Sequence, residues 1–125
     1  MDGDAHLFAL GASTGTQLWQ SQLNVFHLPP VIRDGVLYAV AGRGYPGDLY
    51  ALDAITGEIQ WHYPDIDDYN GLAVAENIVY VGEYSPYGYT ALDASNGGML
   101  WRHETGAGGY PAFVPVVADG IVYGG

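Results

Sequence analysis

The feature that most constrains this 125-residue chain is that it repeats itself. Phe8-Ala-Leu-Gly-Ala-Ser-Thr-Gly-Thr-Gln-Leu-Trp19 returns as Tyr50-Ala-Leu-Asp-Ala-Ile-Thr-Gly-Glu-Ile-Gln-Trp61, and again as Thr90-Ala-Leu-Asp-Ala-Ser-Asn-Gly-Gly-Met-Leu-Trp101. The tryptophans lie 42 and 40 residues apart. A second landmark keeps step: Asp34-Gly-Val-Leu-Tyr38, Glu76-Asn-Ile-Val-Tyr80 and Asp119-Gly-Ile-Val-Tyr123 place tyrosines 42 and 43 residues apart. Two landmarks at one period mean one supersecondary unit used several times.

That unit is all-β. In the middle repeat, Leu72 to Val74, Asn77 to Gly82, Tyr89 to Asp93 and Met99 to His103 read as four short strands separated by turn residues. Nineteen glycines punctuate the chain too often for helical periodicity to develop. Four strands in about 40 residues make a propeller blade. The expected fold is therefore an all-β propeller segment of about three four-stranded antiparallel blades: a half blade over 1–24, blades over 25–66 and 67–106, and a half blade over 107–125. Closed propellers have roughly four to eight blades. The expected partners are thus the remaining blades of a larger propeller or a second copy of the chain.

The motif has physical sense. In the third strand, Tyr50 and Leu52 share one face while Ala51 and Asp53 share the other, and the small alanine lets a neighbouring blade approach. Asp53 and Asp93 stand where a carboxylate can accept backbone N–H bonds from the turn, and Gly15, Gly57 and Gly97 supply its positive φ. Trp19, Trp61 and Trp101 then carry flat rings able to lie over the next blade.

These residues resemble the pyrroloquinoline-quinone (PQQ) repeat and its tryptophan-docking motif. That repeat is found in quinoprotein alcohol dehydrogenases, in the propeller lipoprotein of the outer-membrane barrel assembly machinery and in propeller sensor domains of some bacterial kinases. Gly11 in place of the motif aspartate, Asn96 in place of threonine and Thr90 in place of the aromatic depart from the pattern, so looser turns or seams are expected there. The resemblance implies a bacterial protein of the periplasm or cell surface, and no signal peptide is expected within these 125 residues.

Composition narrows the function. Three Lys+Arg against fourteen Asp+Glu repel phosphate backbones and anionic lipid, which excludes nucleic acid as a partner, and no apolar run reaches the ~20 residues of a membrane span. The absence of cysteine removes disulfides and thiolate chemistry. Asp65-Ile-Asp-Asp-Tyr-Asn-Gly71 has the wrong spacing for a calcium loop and reads as a solvated connection. His6, His27, His62 and His103 form no close ligand pair, and no nucleophile elbow or phosphate loop is present. No catalytic or metal-binding residue is therefore assigned.

The connections Gly42-Arg-Gly-Tyr-Pro-Gly-Asp48 and Glu83-Tyr-Ser-Pro-Tyr-Gly-Tyr89 both join a second strand to a third and belong on one rim. Arg43, Tyr45, Tyr84 and Tyr87 offer rigid aromatic and cationic contact area there, as binding surfaces do. Two functions stand. One is a non-catalytic binding, scaffolding or sensing propeller with a protein partner and no cofactor. The other, implied by the resemblance, is part of a quinoprotein dehydrogenase holding PQQ over calcium, a family that adds a vicinal cysteine pair this chain lacks.

Overall fold

A computed structural model of the chain describes residues 6–25, 30–42, 46–66, 69–84, 87–104 and 116–123. Twelve strands run through them, with no helix among the described residues. They are β1 (His6–Leu10), β2 (Gln17–Asn24), β3 (Val31–Arg33), β4 (Val36–Ala41), β5 (Gly47–Asp53), β6 (Ile59–Ile66), β7 (Tyr69–Ala75), β8 (Ile78–Tyr84), β9 (Tyr87–Asp93), β10 (Met99–Glu104), β11 (Val116–Ala118) and β12 (Ile121–Tyr123).

The chain divides into two compact units, Met1–Pro64 and Asp65–Gly125. In the first, β1 and β2 form a two-stranded sheet, and β3, β4, β5 and β6 pair in chain order as a four-stranded antiparallel meander. In the second, β7 to β10 form the same meander and β11 and β12 a second two-stranded sheet. The four-stranded sheets are propeller blades.

Local chemistry sets their register. Asp34-Gly35, Glu76-Asn77 and Asp119-Gly120 all have positive φ, between 51° and 78°. They join facing pairs Arg33 and Val36, Ala75 and Ile78, and Ala118 and Ile121, as two-residue hairpins whose twist matches the strands. The next strand returns along a fixed path, with Tyr38 opposite Ala51 in one blade and Tyr80 opposite Ala91 in the other. Val40, Leu49, Ala51 and Leu52 are buried in the first blade, and Val79, Val81, Ala91 and Leu92 in the second. β7 begins earlier than its apolar residues imply, because a register shift between Tyr69 and Gly71 (φ 140°) lets pairing continue across a bulge.

The turn after each third strand is built alike in all three repeats. Gly57 N–H donates to the Asp53 carbonyl and Asp53 N–H to that of Glu58, both at 2.8 Å, and Gly97/Asp93/Gly98 and Gly15/Gly11/Thr16 repeat the pattern at the same distances. Gly15, Gly57 and Gly97 have φ of 74°, 78° and 77°, the left-handed conformation in which a Cβ is costly. The looser turns expected from Gly11 and Asn96 are not found. Asn96 Oδ1 accepts from Gly98 N–H at 2.8 Å, where Thr14 and Thr56 hydroxyls accept from Thr16 and Glu58 at 3.2 Å. Gly11 forgoes only the side-chain bonds that Asp53 Oδ1 accepts from Ile55 and Thr56 N–H, at 2.8 and 3.2 Å. Each four-stranded blade also ties its two turns together, through Ala54 N–H to the Gly35 carbonyl and Ala94 N–H to the Asn77 carbonyl, both 3.0 Å.

Asp93 gives the turn a pH dependence. Hydrogen bonds from the Ser95 hydroxyl, and then from its backbone N–H, hold the Asp93 carboxyl below its ordinary value of 3.8, outweighing a small desolvation effect. A depressed folded pKa stabilises above the unfolded value and is lost as pH falls through the folded one. Asp93→Asn should therefore narrow its stability gap to the native chain as pH falls from about 5 to below 3.8, read from urea midpoints across that range. A gap independent of pH would show that the carboxylate charge does not matter.

Candidate functional site

Within each four-stranded blade, antiparallel parity puts both short turns at one end and the connection between second and third strands at the other. β4 and β5 are joined through residues 42–46, whereas β8 and β9 are joined through 85–86 alone. Arg43 and Tyr45 lie outside the described residues. Tyr84 and Tyr87 close the β8–β9 ladder as its last facing pair. Asp67, Asp68 and His27 also lie outside the described residues.

Beneath the Tyr84–Tyr87 end sits a polar cluster that the motifs did not announce. Glu83, on β8, has a side chain only 8% exposed, and its Oε1 accepts from Thr90 Oγ1 at 2.7 Å and from an Arg102 terminal nitrogen at 2.8 Å. The same nitrogen donates to Thr90 Oγ1 at 2.6 Å. Thr90 is 1% exposed and Arg102 reaches solvent with 21% of its side chain. The three residues come from three strands of one sheet. Thr90 faces Arg102 directly, and Glu83 reaches Thr90 on the diagonal past Gly88, which faces Glu83. Gly88 has no room for more: a Cβ there would collide with the His103 carbonyl.

The first unit fills the corresponding positions differently. Ala41, Tyr50 and His62 occupy the places of Glu83, Thr90 and Arg102, and the Tyr50 and His62 rings stack at 5.5 Å with 23° between planes. Thr90, where the motif carries an aromatic, is one member of an exchange of an aromatic stack for an ion pair within the sheet. Burial first, and then the Asp48 carboxylate, push the Tyr50 phenol above its ordinary value of 10.0.

The tryptophans stand as follows. Trp19, on β2, donates its indole N–H to the Ala54 carbonyl at 3.1 Å, and a Cβ built on Gly57 would fall 2.6 Å from its Cε3. Its ring therefore covers the Asp53–Glu58 turn of the adjacent blade within the first unit. Trp61 and Trp101 each lean on the tyrosine of their own blade, Tyr38 at 6.0 Å and Tyr80 at 6.1 Å, with 49° between planes in both. Burial, and then Asp34 and Glu76 respectively, raise the Tyr38 and Tyr80 phenols above 10.0. His62 and His103 are exposed on the outer strands.

With this geometry the chain can be set beside known proteins. The family described as outer membrane protein assembly factor BamB matches residues 1–84. The chain belongs to this family of PQQ-like repeats. Among its relatives the PQQ-like chain is 28% identical to tetrathionate hydrolase of Acidithiobacillus ferrooxidans over 99% of its own length and 29% of that protein. It is 26% identical to polyvinylalcohol dehydrogenase of a Sphingopyxis species, over 90% of its length and 23% of the relative. The crystal structure of BamB from Moraxella catarrhalis superimposes with a TM-score of 0.77 at 24% identity, over 98% of this chain and 37% of that one, and so shares its fold. The PQQ-like chain thus spans under a third of these curated relatives.

Proposed function

We propose that this PQQ-like chain is a non-catalytic binding or scaffolding module that works through the end of its blades carrying Arg43, Tyr45, Tyr84 and Tyr87. The supporting observation is the Glu83–Thr90–Arg102 cluster. A buried carboxylate engaged by a guanidinium and a hydroxyl fixes β8, β9 and β10 to one another beneath the Tyr84–Tyr87 hairpin, and a preorganised base lowers the ordering cost of binding. In this reading Trp61 and Trp101, with Gly97, Asp53 and Asp93, serve blade packing as Trp19 and Gly57 do. The chain works with further blades and a protein partner, in the periplasm or at the cell surface, in keeping with the outer-membrane assembly role in the family's description.

The dehydrogenase relative supports a second reading, a share in a PQQ- and calcium-dependent enzyme. The donor set described does not fit that group. Calcium needs roughly six to eight oxygen ligands, and Glu83 would have to give up its 2.8 Å pairing with Arg102 to serve as one. Among the described residues no three of His, Cys, Asp and Glu gather as a ligand set.

The test is to identify proteins retained by the immobilised chain and repeat the capture with Tyr45→Ala, Tyr84→Ala and Tyr87→Ala combined. Loss of a retained partner with the melting midpoint within about 2 °C of native supports the surface. Loss of partner and stability together returns these tyrosines to packing. Stoichiometric uptake of PQQ with calcium, followed by cofactor absorption, would replace this reading with the enzymatic one.

A further inference from the structure

The third of the three repeated turns carries a chemical reactivity that the other two lack. Where the first two have Thr14-Gly15 and Thr56-Gly57, it has Asn96-Gly97. An asparagine followed by glycine can close on itself. The glycine nitrogen, which has no neighbouring side chain to hinder it, loses its proton to hydroxide and attacks the asparagine Cγ. The N–Cγ bond forms, the Cγ–Nδ2 bond breaks, and the departing nitrogen takes a proton from water and leaves as ammonia. Water then opens the resulting cyclic imide, at Cγ to give aspartate or at the main-chain carbonyl to give isoaspartate, whose backbone is one carbon longer.

The folded turn holds both reacting groups off this path. Gly97 N–H, which must give up its proton, donates to the Asp93 carbonyl at 2.8 Å, and Gly97 is buried although Asn96 is exposed. The Asn96 amide is held as well, its Oδ1 accepting from Gly98 N–H at 2.8 Å. Neither group is free to turn towards the other while these bonds last. Asp93 keeps the frame in place: its N–H donates to the Gly98 carbonyl at 2.8 Å, and its Oδ1 accepts from Ser95 N–H at 2.9 Å.

We infer that Asn96-Gly97 is a deamidation site guarded by the closed turn, so that Asn96 becomes aspartate or isoaspartate only through opening of the Asp93–Gly98 turn. Local openings of this kind are separate from global unfolding and need less free energy. Their chemical outcome is permanent. Isoaspartate lengthens the main chain between Asp93 and Gly97, so the 2.8 Å bonds from Gly97 to Asp93 and from Asp93 to Gly98 cannot both be remade. The turns holding Thr14 and Thr56 open without such a record, because a hydroxyl offers no amide carbon to attack. Asn96 lies at the opposite end of its blade from Tyr84 and Tyr87, so its chemistry and the proposed binding surface stand or fall separately.

Peptide mapping by mass spectrometry, at mildly alkaline pH, follows replacement of the Asn96 amide by acid in the native chain and in denaturing urea. The chain's other Asn-Gly pair, Asn70-Gly71, provides a reference in urea, where the two should convert at similar rates. In the native chain Asn96 should convert at least about tenfold more slowly than in urea. Asp93→Ala removes the carboxylate but keeps the backbone frame, as the first repeat does with Gly11 in that place, and should convert several-fold faster than the native chain. Asn96→Thr, the residue of the other two turns, should abolish conversion there and leave the melting midpoint within about 2 °C of native. Equal rates for Asn96 in the native chain and in urea, no conversion of Asn96 in urea, or an Asp93→Ala rate no faster than native would each overturn the inference.

Discussion

Gly57→Ala should lower stability by about 3 kcal/mol, a fall in melting midpoint on the order of 10 °C, although it adds a single methyl group. Two costs combine. At φ 78° an L-side chain is strained by about 1 kcal/mol, and the new Cβ would stand 2.6 and 2.7 Å from Cε3 and Cδ2 of Trp19. The ring cannot slide aside and keep its 3.1 Å bond to the Ala54 carbonyl, so that bond and the burial around it go together. Gly35→Ala is the internal control. Gly35 has the same φ, 78°, and nothing within 4 Å of its missing Cβ, so it should cost only the strain. Equal midpoints for the two variants in thermal denaturation would mean that Trp19 does not hold the seam.

Glu83→Ala should cost about 3 kcal/mol, near the lower end for breaking a buried pair because Arg102 keeps some solvent contact. It takes from the Arg102 guanidinium its buried carboxylate beside Thr90 and leaves it the exposed Glu104, 4.0 Å from its Nε. The loss should be reversible by design. Replacing Glu83, Thr90 and Arg102 together by Ala, Tyr and His installs the set that Ala41, Tyr50 and His62 already form in the first unit, with its stacked rings at 5.5 Å. Exchanging an ion pair whole, with no partner left behind, is close to neutral, so the triple variant should return to within about 1 kcal/mol of native. Urea denaturation of the single and triple variants decides the matter. A triple variant worse than Glu83→Ala would show that the two sets are not interchangeable.

Why the cluster escaped the sequence while the blades did not is a matter of range. Turn chemistry is local: Asp34-Gly35 or Asp53 with Gly57 declares a φ requirement within five residues, and the repeat multiplies the signal. Glu83 looks like the first residue of a loop and Arg102 like an outer-strand cation. Only antiparallel register, with Thr90 between them, brings the two within 2.8 Å. A usable signal was nonetheless present. Laying the repeats over one another shows Ala41, Tyr50 and His62 changing in concert to Glu83, Thr90 and Arg102, and a joint change of size and charge at three places is what a shared contact produces. The extended β7 was missed for a different reason, since Gly71 reads as a strand end until a bulge carries the ladder past it.

The two ends of each blade differ in how much change they can absorb. The end holding Asp34-Gly35 and the Asp53–Glu58 turn is stitched by Ala54 to Gly35, so an inserted residue there would shift every alternation behind it. The opposite end already tolerates a crossing of five residues between β4 and β5 against two between β8 and β9, with the same register beneath both and one further facing pair, Tyr84 and Tyr87, in the second. New recognition segments grafted into this scaffold, by selection or by an engineer, therefore belong between Ala41 and Gly47 or between Tyr84 and Tyr87, where length is free and the frame stays put.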